Sequence, residues 1–91
     1  MGRTALTYRQ RLEAELDRWK GFRRALLRGE REAFESLVGH VHRYAHAASM
    51  YPERDPFDLF VMSGLLSHEE RLRILERELK MGMRLDARLA P

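Results

Sequence analysis

The sequence is 91 residues long and carries 17 Lys or Arg against 14 Asp or Glu, a formal net charge of +3. It contains no cysteine, which excludes both a disulfide framework and a thiolate zinc site. The composition, 44% hydrophobic and 34% charged, is typical of a folded helical protein. We expect one helical domain over residues 1–91. At this size only about 60–65% of the unfolded surface becomes buried, so a partner subunit would add materially to stability.

No targeting or membrane signal is evident in the sequence. The longest strongly apolar run, residues 59–62, is far short of the roughly 20 residues that a membrane-spanning helix needs. The first residues lack the apolar region of a signal peptide, and Leu6 stands where the N-myristoylation pattern has Ser or Thr. We therefore expect a cytoplasmic protein with no membrane partner. Abundant Arg with almost no Asn or Gln suits a thermophile, although a GC-rich genome produces the same arginine bias.

The first predicted helix covers about residues 7–28. Thr7 and Gln10 have the spacing of a capping box at its start, and Gly29 is placed to end it in a left-handed conformation. Apolar residues follow at steps of three and four, the helical period. They are Leu12, Leu16, Trp19, Phe22 and Leu26.

The second predicted helix covers about residues 30–49, with acidic residues at its start that complement the helix dipole. Its apolar face consists of Phe34, Leu37, Val38, Val41, Ala45 and Ala48. Two prolines then form a turn, and the pair Asp55-Pro56 begins a new helix, with Asp as the N-cap and Pro at the first helical position.

The third predicted helix covers about residues 56–80, with residues 1–6 and 83–91 as frayed tails; the second tail could instead continue the helix. A break over Gly64–Ser67 is an alternative, because Ser67 opens a second capping-box pattern. Apolar residues recur at alternating steps of four and three, the spacing of a coiled-coil seam. The seam comprises Val61, Leu65, His68, Leu72, Leu75 and Leu79. The predicted fold is thus an all-α three-helix bundle with a long third helix.

Three of the four histidines fall within the stretch GHVHRYAH. Because each helical residue turns about 100°, His42 and His46 share one flank of the helix and His40 lies on the other side. An i, i+4 histidine pair has the spacing of two metal ligands, and Asp58 is the candidate third ligand. The HExxH motif, however, needs Glu where Arg43 stands. We therefore expect no native metal site, and we interpret these histidines as half-exposed residues flanking a helix core.

The sequence carries no recognisable catalytic pattern. Its four serines lack the Gly-x-Ser-x-Gly context, and its six glycines are scattered singly instead of forming a phosphate-binding loop. The adjacent Glu69 and Glu70 fit an exposed helix face better than an acid–base pair. We predict a protein that is not an enzyme, with no catalytic residue and no cofactor.

The first predicted helix carries a basic ridge. Residues 1–29 contain eight Lys or Arg and three Asp or Glu, a net charge of +5. Lys20, Arg24 and Arg28 recur at i, i+4 and i+8, and Arg31 extends the ridge. Such cations could contact a phosphate backbone. Two acidic residues on the same side favour a solvated charged face instead.

The segments FRRALLRGEREAFESLV and YAHAASMYPERDPFDLFVMSGLLSHEERLRILE together resemble small helical proteins of archaea and heat-loving bacteria that are uncharacterised. The resemblance covers about residues 18–80, and DPF…MS.LL.HE is its most particular part. It implies a compact, standalone helical domain and assigns no site residue.

The start of the third predicted helix is apolar around its whole circumference, and such a helix needs cover on more than one side. We therefore predict a homodimer or homo-oligomer built on the seam, with His68 as the polar position that fixes its register. A monomer whose third helix folds back at Gly64 is the rival. The predicted function is non-catalytic self-association or protein–protein interaction. The alternatives are a nucleic-acid-associated accessory protein and a metal-binding protein.

Overall fold

The structure, a computed structural model, describes residues 6–89, so most of the predicted N-terminal tail at residues 1–6 lies outside the described part. It contains five helices and, over these residues, no strand. They are α1 (Tyr8–Asp17), α2 (Lys20–Ala25), α3 (Arg28–His42), α4 (Ala45–Ala48) and α5 (Pro56–Leu89). The all-α class is confirmed, but five helices replace the three that we predicted.

Two predicted helix starts are confirmed by their hydrogen bonds. The Thr7 hydroxyl accepts from the Gln10 backbone amide at 3.2 Å, and the Gln10 side chain accepts from the Thr7 amide at 2.9 Å. At the start of α5 the Asp55 carboxylate accepts from the Phe57 amide at 2.8 Å. Each bond satisfies a backbone donor that the first helical turn leaves free, which explains why these boundaries could be read locally.

The first two predicted helices are each split by a tight turn. The Trp19 amide donates to the Leu16 carbonyl at 3.0 Å, and the Tyr44 amide donates to the Val41 carbonyl at 3.1 Å. These i to i−3 bonds are the tighter winding of a 3₁₀ turn, which changes the direction of the chain. The apolar period continues through both turns, so periodicity alone could not reveal them.

The predicted stop at Gly29 is wrong, because α2 ends at Ala25 and Gly29 lies inside α3. Leu26 and Leu27 are extended and form the joint, with ψ angles of 148° and 162°. Side chains of α3 stabilise this joint in place of a left-handed glycine. Arg31 donates to carbonyl groups at the end of α2, and Glu30 accepts from the Leu27 amide at 2.8 Å.

The core lies between α1, α3, α4 and the first half of α5. It consists of Tyr8, Leu12, Val41, Ala45 and Ala48, with Leu16, Leu37, Leu59 and Phe60 packed around it. Of the predicted apolar face, Leu37, Val41, Ala45 and Ala48 thus lie in the core or against it. Burial raises the pKa of the Tyr8 phenol above its usual value, and Ser63 and Arg11 nearby oppose this rise.

Helix α5 is continuous over 34 residues, so the alternative break at Gly64–Ser67 is not found. Ser63, Gly64 and Ser67 are buried and face the bundle, where small side chains allow α3 to approach closely. The capping-box pattern at Ser67 had indicated a helix start, but Ser67 is a packing residue inside α5. At the other end, residues 83–89 continue the helix in place of fraying.

The second half of α5 projects from the bundle. Every residue from His68 to Leu89 is exposed. The radius of gyration is 18.6 Å and the longest dimension is 75 Å, whereas a compact domain of this length has a radius of gyration of about 12 Å. The compact shape implied by the sequence resemblance is thus corrected to an elongated one.

Candidate interaction surface

All residues of the predicted seam lie on the solvent side of α5. Its five apolar residues, Val61, Leu65, Leu72, Leu75 and Leu79, are between 41% and 63% exposed. At about 100° per residue these five and His68 fall within an arc of about 80°. Because the helix is unbroken, they form one continuous stripe, which we call the α5 seam.

The α5 seam and the bundle occupy different sides of the helix. The centre of the buried trio Ser63, Gly64 and Ser67 lies about 110° from the centre of the α5 seam, at about 100° per residue. The folded chain therefore uses the small-residue side of α5 for its own core. The apolar residues of the α5 seam remain 41–63% exposed even where the seam runs beside the bundle.

Charged residues flank the α5 seam on both sides. In heptad terms Leu65, Leu72 and Leu79 are a positions, which makes Arg71 a g position and Glu76 an e position. In a parallel pair of helices, a g residue lies next to the e residue five positions later on the partner helix. Arg71 of one copy would then face Glu76 of the other, an attractive contact made twice.

Polar contacts fix α5 against α3 and the turn before α4, just beside the α5 seam. The Tyr44 hydroxyl donates to the Glu70 carboxylate, and this hydrogen bond raises the pKa of Tyr44 above its usual range. Arg71 Nη1 lies 3.0 Å from His40 Nε2. A guanidinium can only donate, so this contact requires an imidazole nitrogen that accepts.

The environment of His40 disfavours its charged form. Desolvation lowers its pKa, and the charges of Arg71, Arg43 and His68 lower it further. His40 was set apart from the other histidines of the GHVHRYAH stretch in the sequence, and the structure lowers its pKa through this environment. The sequence could not indicate this environment of His40, because Arg71 is 31 residues from His40 along the chain.

An aromatic notch of about 180 Å³ lies at the end of the bundle, next to the start of the α5 seam. Trp19 stacks on Phe57, with ring centroids 5.5 Å apart and an angle of 8° between the planes, and Phe22 meets Trp19 edge-on. Val61 belongs to both the notch and the α5 seam. The helical period of the first predicted helix placed Trp19 and Phe22 on its apolar face, yet Phe22 remains half exposed.

The predicted basic ridge does not form on a single helix. Lys20 and Arg24 lie on α2, whereas Arg28 and Arg31 lie on α3, beyond the extended joint. Lys20 pairs with Asp17 at 2.6 Å and Arg28 pairs with Glu32 at 3.5 Å. Arg31 is engaged with carbonyl groups of α2. Three of the four cations thus already have partners within the chain.

The candidate metal ligands are distributed over three helices. His42 ends α3, His46 lies in α4 and Asp58 lies in the first turn of α5. The tight turn at Arg43 and Tyr44 means that His42 and His46 do not share one regular helix, as their spacing had indicated. Within residues 6–89 no group of three or more His, Asp or Glu side chains comes together in a way that could hold a metal ion.

Comparison with known proteins places the chain in a family. The sequence profile of a domain of unknown function, DUF8156, matches residues 1–87. The chain belongs to this family. No curated protein and no solved structure matches it. The expectation of an uncharacterised helical family is met at this level, and an origin in archaea or heat-loving bacteria stays a prediction.

The length and composition of the helices determine whether any of them could cross a membrane. Within residues 6–89, no helix has both the length and the apolar composition required to cross a bilayer. Helix α5 is long enough, but its charged residues are distributed along its whole length.

Proposed function

We propose that this protein is a non-catalytic cytoplasmic helical protein that acts by self-association through the α5 seam. The observation that carries this proposal is the seam itself: an unbroken stripe of half-exposed Leu and Val on the side of α5 that faces away from the core. Solvent-exposed apolar stripes of this kind mark interaction surfaces. The projecting half of α5 gives a second copy access along the stripe.

The occupant that we propose is a second copy of this chain, in parallel orientation. In the antiparallel register that pairs all six seam residues, Arg71 would face Arg71 and Glu69 would face Glu69 across the twofold axis, which is repulsive. The parallel arrangement instead pairs Arg71 with Glu76 on both sides. Charge complementarity therefore favours the parallel dimer, with His68 facing His68 at one layer of the interface.

The expected affinity follows from the apolar side chains. A dimer would bury ten of them, five from each copy, and each is already partly covered in the monomer. Full burial of such a side chain gives about 1.5–3 kcal/mol, so the remaining gain is about 1 kcal/mol for each. The sum is of the same order as the cost of association. Because the two terms are of the same order, we expect an equilibrium between monomer and dimer that depends on concentration.

Sedimentation equilibrium over about 1–300 μM tests self-association. The wild-type molar mass should rise from 10.8 kDa towards twice that value. Leu75→Asp should keep the chain monomeric throughout. Leu85→Asp is the matched control, because Leu85 is equally exposed on the same helix but lies on the side that continues the bundle-facing face. A wild-type protein that stays at 10.8 kDa throughout overturns the proposal.

A cysteine cross-link tests the orientation. Because the chain has no cysteine, a single Leu79→Cys substitution introduces the only thiol. In the parallel dimer the two thiols face each other at one layer, so mild oxidation should yield a disulfide-linked dimer. In the antiparallel register position 79 faces position 61, and only the double variant Val61→Cys/Leu79→Cys would cross-link efficiently. Cross-linking of the double variant alone would contradict the parallel arrangement.

A further inference from the structure

Beyond the bundle, one face of α5 consists of basic residues only. Residues 72–89 contain five Lys or Arg, and at about 100° per residue all of them fall within one arc of about 80°. No other residue of this segment lies in that arc. We call this set the α5 basic face. It comprises Arg73, Arg77, Lys80, Arg84 and Arg88.

The cations of the α5 basic face are exposed and unpaired. None of the five forms an ion pair with a carboxylate in residues 6–89. The acidic residues of the same segment lie outside the arc: Glu78 and Asp86 lie on other sides of the helix, and Glu76 borders the arc on the seam side. Glu69, one turn before Arg73, borders the arc on that side as well, and Glu69 and Glu76 line a shallow cleft with Arg73, Arg77 and Lys80. Lys20, Arg28 and Arg31 have partners within the chain, whereas the five cations of the α5 basic face form no ion pair in residues 6–89. The available basic surface therefore lies on the last helix and not on the first ones.

The spacing of the five cations suits an extended polyanion. From Arg73 to Arg88 the helix rises about 22 Å, at about 1.5 Å per residue. Duplex DNA carries one phosphate per about 1.7 Å of its axis when both strands are counted, so a helix of this length in the groove lies near enough phosphates for five contacts. The major groove of B-form DNA, about 12 Å wide, admits an α-helix, whereas the major groove of duplex RNA is too narrow.

We propose that the α5 basic face binds the phosphate backbone of duplex DNA without sequence preference, with the projecting half of α5 lying along the major groove. The α5 seam is about 140° from this face, at about 100° per residue, so the proposed self-association leaves the cations free and the DNA proposal does not rest on it.

A membrane surface fits this face less well. The apolar residues of the segment are centred about 160° from the cations, on the opposite side of the helix. Interfacial helices bury an apolar side opposite their cations, but here that side also carries Glu78 and Asp86. Burying it in a bilayer would desolvate both carboxylates.

Fluorescence anisotropy with the full chain and a labelled random-sequence DNA duplex tests the proposal. The slope of log K against log salt concentration should be about −4.5, because each of five phosphate contacts contributes about −0.9. The double variant Arg77→Gln/Arg84→Gln should reduce the magnitude of the slope by about 1.8 and weaken binding on the order of 50-fold at about 0.1 M salt.

The matched control is Lys20→Gln/Arg24→Gln, which removes the same charge from α2. It should leave the slope unchanged, and far-UV circular dichroism of both variants should match that of the wild type. Absence of binding at low salt, or an equal loss of affinity in the two double variants, would overturn the proposal. So would tighter binding to duplex RNA, or to phosphatidylserine vesicles, than to duplex DNA.

Discussion

Gly64 of α5 lies against the Leu37 side chain of α3 so closely that a Cβ atom at position 64 would be 3.3 Å from Leu37 Cδ1. The next nearest atom would be Val41 Cγ2, at 3.9 Å. This contact orients α5, because it brings the Gly64 side of the helix against the core and leaves the α5 seam on the outside. The residue that the sequence offered as a helix break is therefore a close packing contact between α3 and α5.

Substitution of Gly64 by a large side chain should separate these helices. We expect Gly64→Leu to lower the free energy of unfolding by about 2 kcal/mol, because overpacking forces neighbours out of their preferred rotamers. Gly39→Leu in α3 is the control: a Cβ there meets nothing within 4 Å, and leucine should raise helix stability by up to about 0.8 kcal/mol. Chemical denaturation followed by circular dichroism measures both. Equal effects of the two variants would show that the close approach is not tight.

The hydrogen bond from Tyr44 to Glu70 should contribute measurably to the docking of α5. We expect Tyr44→Phe to lower the free energy of unfolding, because it removes a donor to a carboxylate while keeping the ring. Tyr51→Phe, at an exposed position in the turn before α5, should change it by less than about 0.5 kcal/mol. A spectrophotometric titration adds a second readout: in Glu70→Gln the pKa of Tyr44 should fall towards its usual value.

Stability should fall on acidification through His40. Its folded-state pKa lies below the ordinary value of 6.5, so below that pH the unfolded chain binds more protons than the folded chain at this residue. Protonation therefore favours unfolding as the pH drops through and below 6.5. We expect the melting temperature of the wild type to decrease between about pH 7.5 and pH 5.5, and His40→Gln to reduce that decrease.

The matched variant for this pH experiment is His46→Gln, which removes an imidazole from α4 that lines the same cleft as Arg71, whereas the Arg71 guanidinium contacts His40. Differential scanning calorimetry of the three proteins over the same pH series gives the comparison. If acidification lowers the melting temperature of His40→Gln and of the wild type by the same amount, the Arg71 and Arg43 guanidinium groups do not control the protonation of His40.

The helical class, the two helix starts at Thr7 and Asp55-Pro56, and the spacing of the α5 seam could be predicted from the amino-acid sequence. Each depends on residues within a few positions of one another, because caps act over two or three residues and helical periodicity repeats every turn. Such features can be read without knowledge of distant parts of the chain.

The side of α5 that faces the core depends on contacts between helices, which the sequence pattern does not reveal. Gly64 and Ser67 have the local chemistry of a helix break, yet α3 packs against them and the helix continues. The turns at Trp19 and Tyr44 likewise bring side chains to partners on α5, Phe57 and Glu70, that are distant in sequence. Local propensity leaves several conformations nearly equal in free energy. Contacts between distant residues select among these conformations, and they thereby determine where the helices break and which faces of α5 stay exposed.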